Sequence, residues 1–240
     1  MLIISYLIHP YRPHLNFNFR KVKDLFGYGK WVMWSTILAF LVTQGDDILV
    51  GKILSATALG LYQMSYKISN LPATEITHVI SQVTFPLYSK IQDDDVRLRE
   101  SYLKVFQFIT FVSFPITGLI FVLSSDFTTL FLGDKWLQMV PSMKILVLEG
   151  LVRSIAASSG NLFYAMGKTK IDTKLQVIRF ILLVTLIYPL TIKWGIFGTS
   201  IAVFFSISIS CIGFSIITLK IIKCSLKRYV SILLIPLFIT

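Results

Sequence analysis

The sequence predicts an all-α fold, a polytopic bundle of transmembrane helices, and three observations carry that reading. Hydrophobic residues make up 55% of the 240 and charged residues only 15%, where an average soluble domain is about a quarter charged. Apolar stretches recur at membrane-crossing length: 105–125 holds no ionisable side chain, and roughly twenty residues rising about 1.5 Å each span a hydrocarbon core of about 30 Å. Basic residues, finally, gather in every second loop. A β-barrel would need segments of about ten residues alternating in polarity, and these runs are apolar on both faces.

Punctuating the chain by charge gives six full spans with a partial helix at each end. Residues 1–8 are apolar but lack the basic start and small-residue cleavage site of a signal peptide, so they read as the tail of a transmembrane helix. The first full span, 28–51, follows Arg12, Arg20, Lys21, Lys23 and Lys30. The second, 57–90, would run close to about 50 Å if straight, so a bend at Pro72 or protrusion into the cytoplasm is expected. Asp93, Asp94 and Asp95 mark a solvated loop and a helix start, and the third span is 104–125. The stretch 124–136 mixes aromatics with acids and suits the outer interface. The fourth, fifth and sixth spans are 137–166, 173–192 and 195–219, and 229–240 enters another helix.

Lys90, Arg97, Arg99 and Lys104, then Lys168, Lys170, Lys174 and Arg179, then Lys220, Lys223, Lys227 and Arg228 follow the second, fourth and sixth spans. Excess Lys and Arg mark cytoplasmic loops. The net charge of +11 is therefore a topology signal with attraction to anionic headgroups, and no nucleic-acid partner is expected. Cys211, Cys224 and the three histidines match no disulfide or metal spacing. No phosphate-binding loop or nucleophile elbow occurs. No catalytic residue, cofactor or enzymatic activity is expected.

Ionisable groups at membrane depth are costly and tend to face a bundle interior or a wet cavity, which makes them the site candidates. In the second span Glu75, His78 and Gln82 follow i, i+3, i+7 spacing, with Lys67 and Asn70 before Pro72. Glu149 and Arg153 stand four apart, acid before base, an order that favours pairing on a helix. Arg153 reads either as an anchor for an anionic substrate or as half of a structural ion pair. Asp46 and Asp47, and with them Glu149, are candidates for coupling to a cation; a water-exposed helix end explains the two aspartates equally well.

The segments Gln44-Gly45-Asp46-Asp47, Ala58-Leu59-Gly60-Leu61-Tyr62 and the run from Asn70 through Pro72, Glu75, His78 and Gln82 to Pro86 carry a family resemblance. With looser similarity through Phe131-Leu132-Gly133-Asp134-Lys135-Trp136 and Tyr188-Pro189-Leu190, the chain resembles Wzx-type polysaccharide and lipopolysaccharide flippases of the multidrug/oligosaccharidyl-lipid/polysaccharide superfamily. The resemblance implies a multi-pass protein of the bacterial inner membrane with two helical lobes. It implies alternating access that moves a lipid-linked oligosaccharide, a polyprenyl-diphosphate glycan, to the outer leaflet. Family members are about twice this length, so the chain is expected to be the C-terminal lobe of a longer protein whose N-terminal lobe is missing here. Under that reading Arg153, Lys67, Asn70, Glu75, His78 and Gln82 face the substrate. The alternatives are a cation-coupled multidrug exporter of the same superfamily, a non-transporting fragment, and a membrane glycan polymerase or ligase, for which the longest outer loop is short.

Overall fold

The computed structural model describes residues 19–234, except the side chains of 19–28, Trp31 and 71–76. The expected helix piece at 1–8, residues 235–240 of the piece expected at 229–240, the bend at Pro72 and the side chain of Glu75 thus lie outside the described residues. The described chain is helical throughout: α1 (Phe19–Ile53), α2 (Ala56–Ile91), α3 (Asp95–Phe127), a π-turn at Thr128–Leu132, a 3-10 turn at Asp134–Met139, α4 (Val140–Ala165), α5 (Thr169–Ile221) and α6 (Leu226–Leu234). Among the described residues there is no strand. The stretch Asp95–Leu132 and α5 are long and apolar enough to cross a membrane by composition alone. In α1, α2 and α4 the apolar runs are interrupted by groups such as Asp46, Lys67 and Glu149, which a bundle interior must accommodate.

Local chemistry sets the boundaries. Ser55 caps α2 by accepting the Ala58 N–H at 3.1 Å, and Asp94 caps α3 by accepting the Arg97 N–H at 2.9 Å, each satisfying a donor that the first turn leaves open. Gly167, at φ +67°, closes α4: its N–H bonds Tyr164 O at 3.1 Å and the Lys168 N–H bonds Phe163 O at 2.8 Å, the paired bonds of a Schellman ending. The loop between α4 and α5 is therefore very short. Lys170, Lys174 and Arg179, grouped by sequence with the cytoplasmic loop after the fourth span, belong to α5 instead, because Thr169 already starts that helix.

α5 is two helices joined at a sharp turn. Gly195 has φ +58° and ψ −140°, backbone that only glycine adopts without strain. At Gly198 a Cβ would stand 2.0 Å from Leu190 O, so the missing side chain lets the arms 169–194 and 196–221 approach across the turn. Thr191 and Thr199 share a hydroxyl hydrogen bond of 2.8 Å there. The expected fifth and sixth spans are these two arms.

Small residues bring the other helices together. On α2, Ser65 donates to Met139 O at 3.3 Å and Ser69, one turn on, to Met143 O at 3.0 Å; small residues at such spacing let membrane helices pack backbone to backbone. One end of the bundle is held by Tyr88, Leu98, Tyr102, Phe106, Leu162 and Tyr229, with the Phe106 and Tyr229 rings stacked at 4.4 Å. The same end carries Glu100 paired in a two-pronged contact with Arg228 at 2.8 and 2.7 Å, and Lys223 paired with Asp95. The opposite end packs Leu61, Met64, Met139, Met143 and Trp136. Beside it the π-turn leaves Leu130 79% and Phe131 73% exposed, as an interfacial segment would.

Candidate functional site

The candidate site is a chain of polar groups in the middle of the bundle. Glu149 on α4 is fully buried. One helical turn later Arg153 returns toward it, placing Nη2 at 2.7 Å and Nε at 3.0 Å from Oε1. The pairing anticipated from the acid-before-base spacing is present. A second guanidinium, Arg179 on the first arm of α5, brings Nη2 to 3.8 Å from the same oxygen. The Arg153 guanidinium also lies 5.2 Å from the centre of the Tyr66 ring on α2, a distance at which the ring face attracts a cation. Among the described residues, Glu149 Oε2 and Arg179 Nε have no hydrogen-bond partner.

Both arginines border a cavity of about 350 Å³ formed by α1, α4 and the two arms of α5. Asn161, Tyr164, Asp172 and Gln176 also line it. Asp172 is buried and engaged: it accepts hydrogen bonds from the Ser35 hydroxyl and, at 3.0 Å, from the Tyr164 hydroxyl, so one carboxylate ties α1, α4 and α5 together. The cavity thus has a cationic wall at Arg153 and Arg179 and a carboxylate closer to the basic end. Such a space offers charge and hydrogen bonds to a polar, negatively charged group while apolar helix faces surround it.

The remaining candidates are placed as follows. Asp46 is buried and accepts the Tyr62 hydroxyl at 2.6 Å and the Asp47 N–H at 3.0 Å. Asp47 is half-buried and accepts from Gln63 Nε2 at 2.9 Å. Asn70 is buried. Lys67, His78 and Gln82 are exposed and lie outside the cavity; the His78 and Gln82 side chains approach each other at 3.5 Å. Neighbouring Ser81 faces inward and accepts from Asn161 Nδ2 at 2.7 Å. Sequence reasoning missed Arg179, Asp172 and Tyr62 as members of the buried network. The signal for two of them was present, since Asp172, Gln176 and Arg179 follow i, i+4, i+7 spacing on α5, the polar stripe of an amphipathic helix.

Among known proteins, the model of the polysaccharide biosynthesis protein family matches residues 1–141. The lipopolysaccharide biosynthesis protein WzxC of Escherichia coli (strain K12) is 26% identical over 232 residues, covering 96% of this chain and 47% of that protein. The teichuronic acid biosynthesis protein TuaB of Bacillus subtilis (strain 168) is 32% identical over 159 residues, covering 66% of this chain and 33% of its own length. The amylovoran biosynthesis protein AmsL of Erwinia amylovora is 26% identical over 174 residues, 72% of this chain and 45% of that one. The chain spans between a third and a half of the length of these relatives. No solved structure matches. With two stretches among the described residues long and apolar enough to cross a membrane and a family match over more than half of its length, the chain belongs to the polysaccharide biosynthesis protein family of membrane proteins.

Proposed function

We propose that this chain is the C-terminal lobe of a bacterial inner-membrane transporter that moves a lipid-linked oligosaccharide from the cytoplasmic to the outer leaflet. The observation that carries the proposal is the pair of arginines, half-buried Arg153 and buried Arg179, bordering a cavity at membrane depth that Asn161, Tyr164, Asp172 and Gln176 also line. A polyprenyl-diphosphate glycan has a doubly anionic link, a hydroxyl-rich head and an apolar tail. Cations and hydrogen-bonding groups inside a helical bundle suit the head and the link, while the lipid-facing surface suits the tail. The polysaccharide-biosynthesis names of the relatives support the same substrate class, and a transport role rather than bond chemistry fits them.

Two further features support the assignment. The exposed polar residues Gln63, Lys67, His78 and Gln82 on α2 are costly against lipid, and are accommodated if α2 borders a wet space shared with an N-terminal lobe. Basic residues concentrate at the end held by Tyr102 and Tyr229, which supports a cytoplasmic location for that end under the positive-inside rule. Asp46, Asp47 and Glu149 are the carboxylates placed to couple transport to a cation, and Asp46, buried against Tyr62, is the foremost of them.

The test is Arg153→Ala in a full-length relative, with glycan export and membrane protein level measured together. Export is expected to fall about tenfold or more, in line with losing a charged contact to an anion, at unchanged protein level. Wild-type export at unchanged level would reject Arg153 as the substrate anchor. Raised accumulation of cationic dyes without any export phenotype would instead favour a multidrug exporter.

A further inference from the structure

A second cavity, of about 230 Å³, lies between α2, α3 and α4 near the π-turn. Its described lining is apolar throughout: Ile68 on α2, Leu119, Ile120, Leu123 and Phe127 on α3, and Met143 on α4. Leu119, Leu123 and Phe127 recur every four residues and so form one stripe along α3. Leu119 is 60% and Leu123 43% exposed, which makes the space a slot open along its side. The helix that carries the stripe is long and apolar enough to cross a membrane, so the slot opens onto hydrocarbon. Apolar cavities of about 150 Å³ stay dry, and empty space deprives their walls of dispersion contacts. A hydrocarbon chain laid along the stripe restores those contacts over about 12 Å of helix, and the flexible Met143 side chain can adapt to it.

One end of the slot is polar. Asp126 stands three residues beyond Leu123 on the same stripe, beside Phe127. It is exposed and has no ion-pair partner among the described residues. Asp134 and Lys135, also exposed, follow the π-turn at the same end. The Phe127 ring stacks on Phe131 at 4.9 Å, which links the slot to the exposed apolar tip of that turn, a segment suited to the headgroup level. The slot thus runs from membrane depth to the interface, apolar along its length and acidic at its mouth.

We propose that the slot binds one acyl chain of a phospholipid with a primary-amine headgroup, phosphatidylethanolamine, in the leaflet that meets the π-turn, and that Asp126 receives the ammonium. A primary ammonium donates charge-assisted hydrogen bonds to a carboxylate, whereas a choline head has no N–H to give. A lipid with a net anionic head, polyprenyl phosphates included, would bring like charge to Asp126 and Asp134. Lys135 is the cation at the same end to complement the phosphate. This site is separate from the cavity bordered by Arg153 and Arg179 and does not depend on the transport reading.

The experiment places the purified 240-residue protein in phosphatidylcholine nanodiscs containing phosphatidylethanolamine with a photoreactive acyl chain, and maps the crosslinks by mass spectrometry. The label should concentrate on the peptide that holds Leu119, Leu123 and Phe127. Unlabelled phosphatidylethanolamine should compete about tenfold better than phosphatidylcholine, phosphatidylglycerol or a polyprenyl phosphate, in line with one charged contact. Leu123→Trp, which fills the slot, should abolish labelling of the stripe. Asp126→Asn should keep the labelling and lose the amine preference. Phe205→Trp, an equally bulky change at an exposed position of α5, should label as wild type does. If Leu123→Trp does not yield folded protein, Leu119→Trp at the more exposed position takes its place.

The site is overturned if the label spreads evenly over the exposed faces of α3 and α5, as ordinary surrounding lipid would. It is equally overturned if the slot-filling variant labels like wild type, if Phe205→Trp loses labelling to the same extent, or if Asp126→Asn keeps the amine preference. Competition by phosphatidylglycerol or a polyprenyl phosphate as effective as that by phosphatidylethanolamine would also reject it.

Discussion

Arg179 Nη2 stands 3.8 Å from Glu149 Oε1, the oxygen that Arg153 already holds at 2.7 Å. One buried carboxylate therefore organises two guanidiniums from two helices. Breaking such a cluster from the acidic side leaves two like charges facing each other without their shared counter-ion. Glu149→Ala is expected to cost about 3 kcal/mol or more, seen as a large drop in thermal unfolding temperature in detergent. Added pyrophosphate should recover part of the loss.

The α5 hairpin depends on two glycines for different reasons. Gly195→Ala forces a side chain onto backbone at φ +58°, at a cost of about 1–3 kcal/mol. Gly198→Ala places a Cβ 2.0 Å from Leu190 O, and the arms must separate, at about 3 kcal/mol or more. Gly60→Ala on α2, where nothing lies within 4 Å of the added carbon, should be neutral or stabilising by about 0.5–1 kcal/mol. Thermal unfolding of the three variants side by side gives the order.

How legible this architecture was depends on whether the cause was local. The caps at Ser55 and Asp94 and the break at Gly195 follow from residues adjacent in sequence, and the Glu149–Arg153 pair follows from one helical turn. Arg179 was obscured because it closes a run with Lys168, Lys170 and Lys174 that reads as a basic loop, although only three residues, 166–168, separate α4 from α5. The Ser35, Tyr164 and Asp172 contact joins side chains as much as 137 residues apart, and no local pattern foretells which helices meet. His78 and Gln82 were read as facing the substrate, whereas they are exposed outside the cavity while neighbouring Ser81 turns to Asn161; helix rotation is set by the neighbours.

The Tyr62 hydroxyl is the side-chain donor to buried Asp46 at 2.6 Å. Tyr62→Phe keeps the ring and removes that donor, leaving a carboxylate oxygen without it. The expected loss is about 1–3 kcal/mol, checked by unfolding, with Tyr66→Phe as the comparison because the Tyr66 contact to Arg153 is made by the ring face.

The two cysteines report orientation without mutagenesis. Cys211 is buried within the second arm of α5 and Cys224 is partly exposed at the basic end. A membrane-impermeant maleimide should label Cys224 in inverted vesicles and not in right-side-out ones, while Cys211 stays unlabelled until the protein is denatured. Labelling of Cys224 from the outer face would reverse the assigned orientation.

The central claim is that Arg153 takes hold of the anionic link of a lipid-linked glycan during its passage. The most direct measurement is translocation of a fluorescent polyprenyl-diphosphate oligosaccharide in proteoliposomes carrying a full-length relative, wild type against Arg153→Ala and Arg153→Lys. The account predicts that Arg153→Ala loses transport about tenfold or more and that Arg153→Lys keeps part of it, since charge survives without the planar fork. Transport by Arg153→Ala at the wild-type rate would contradict it.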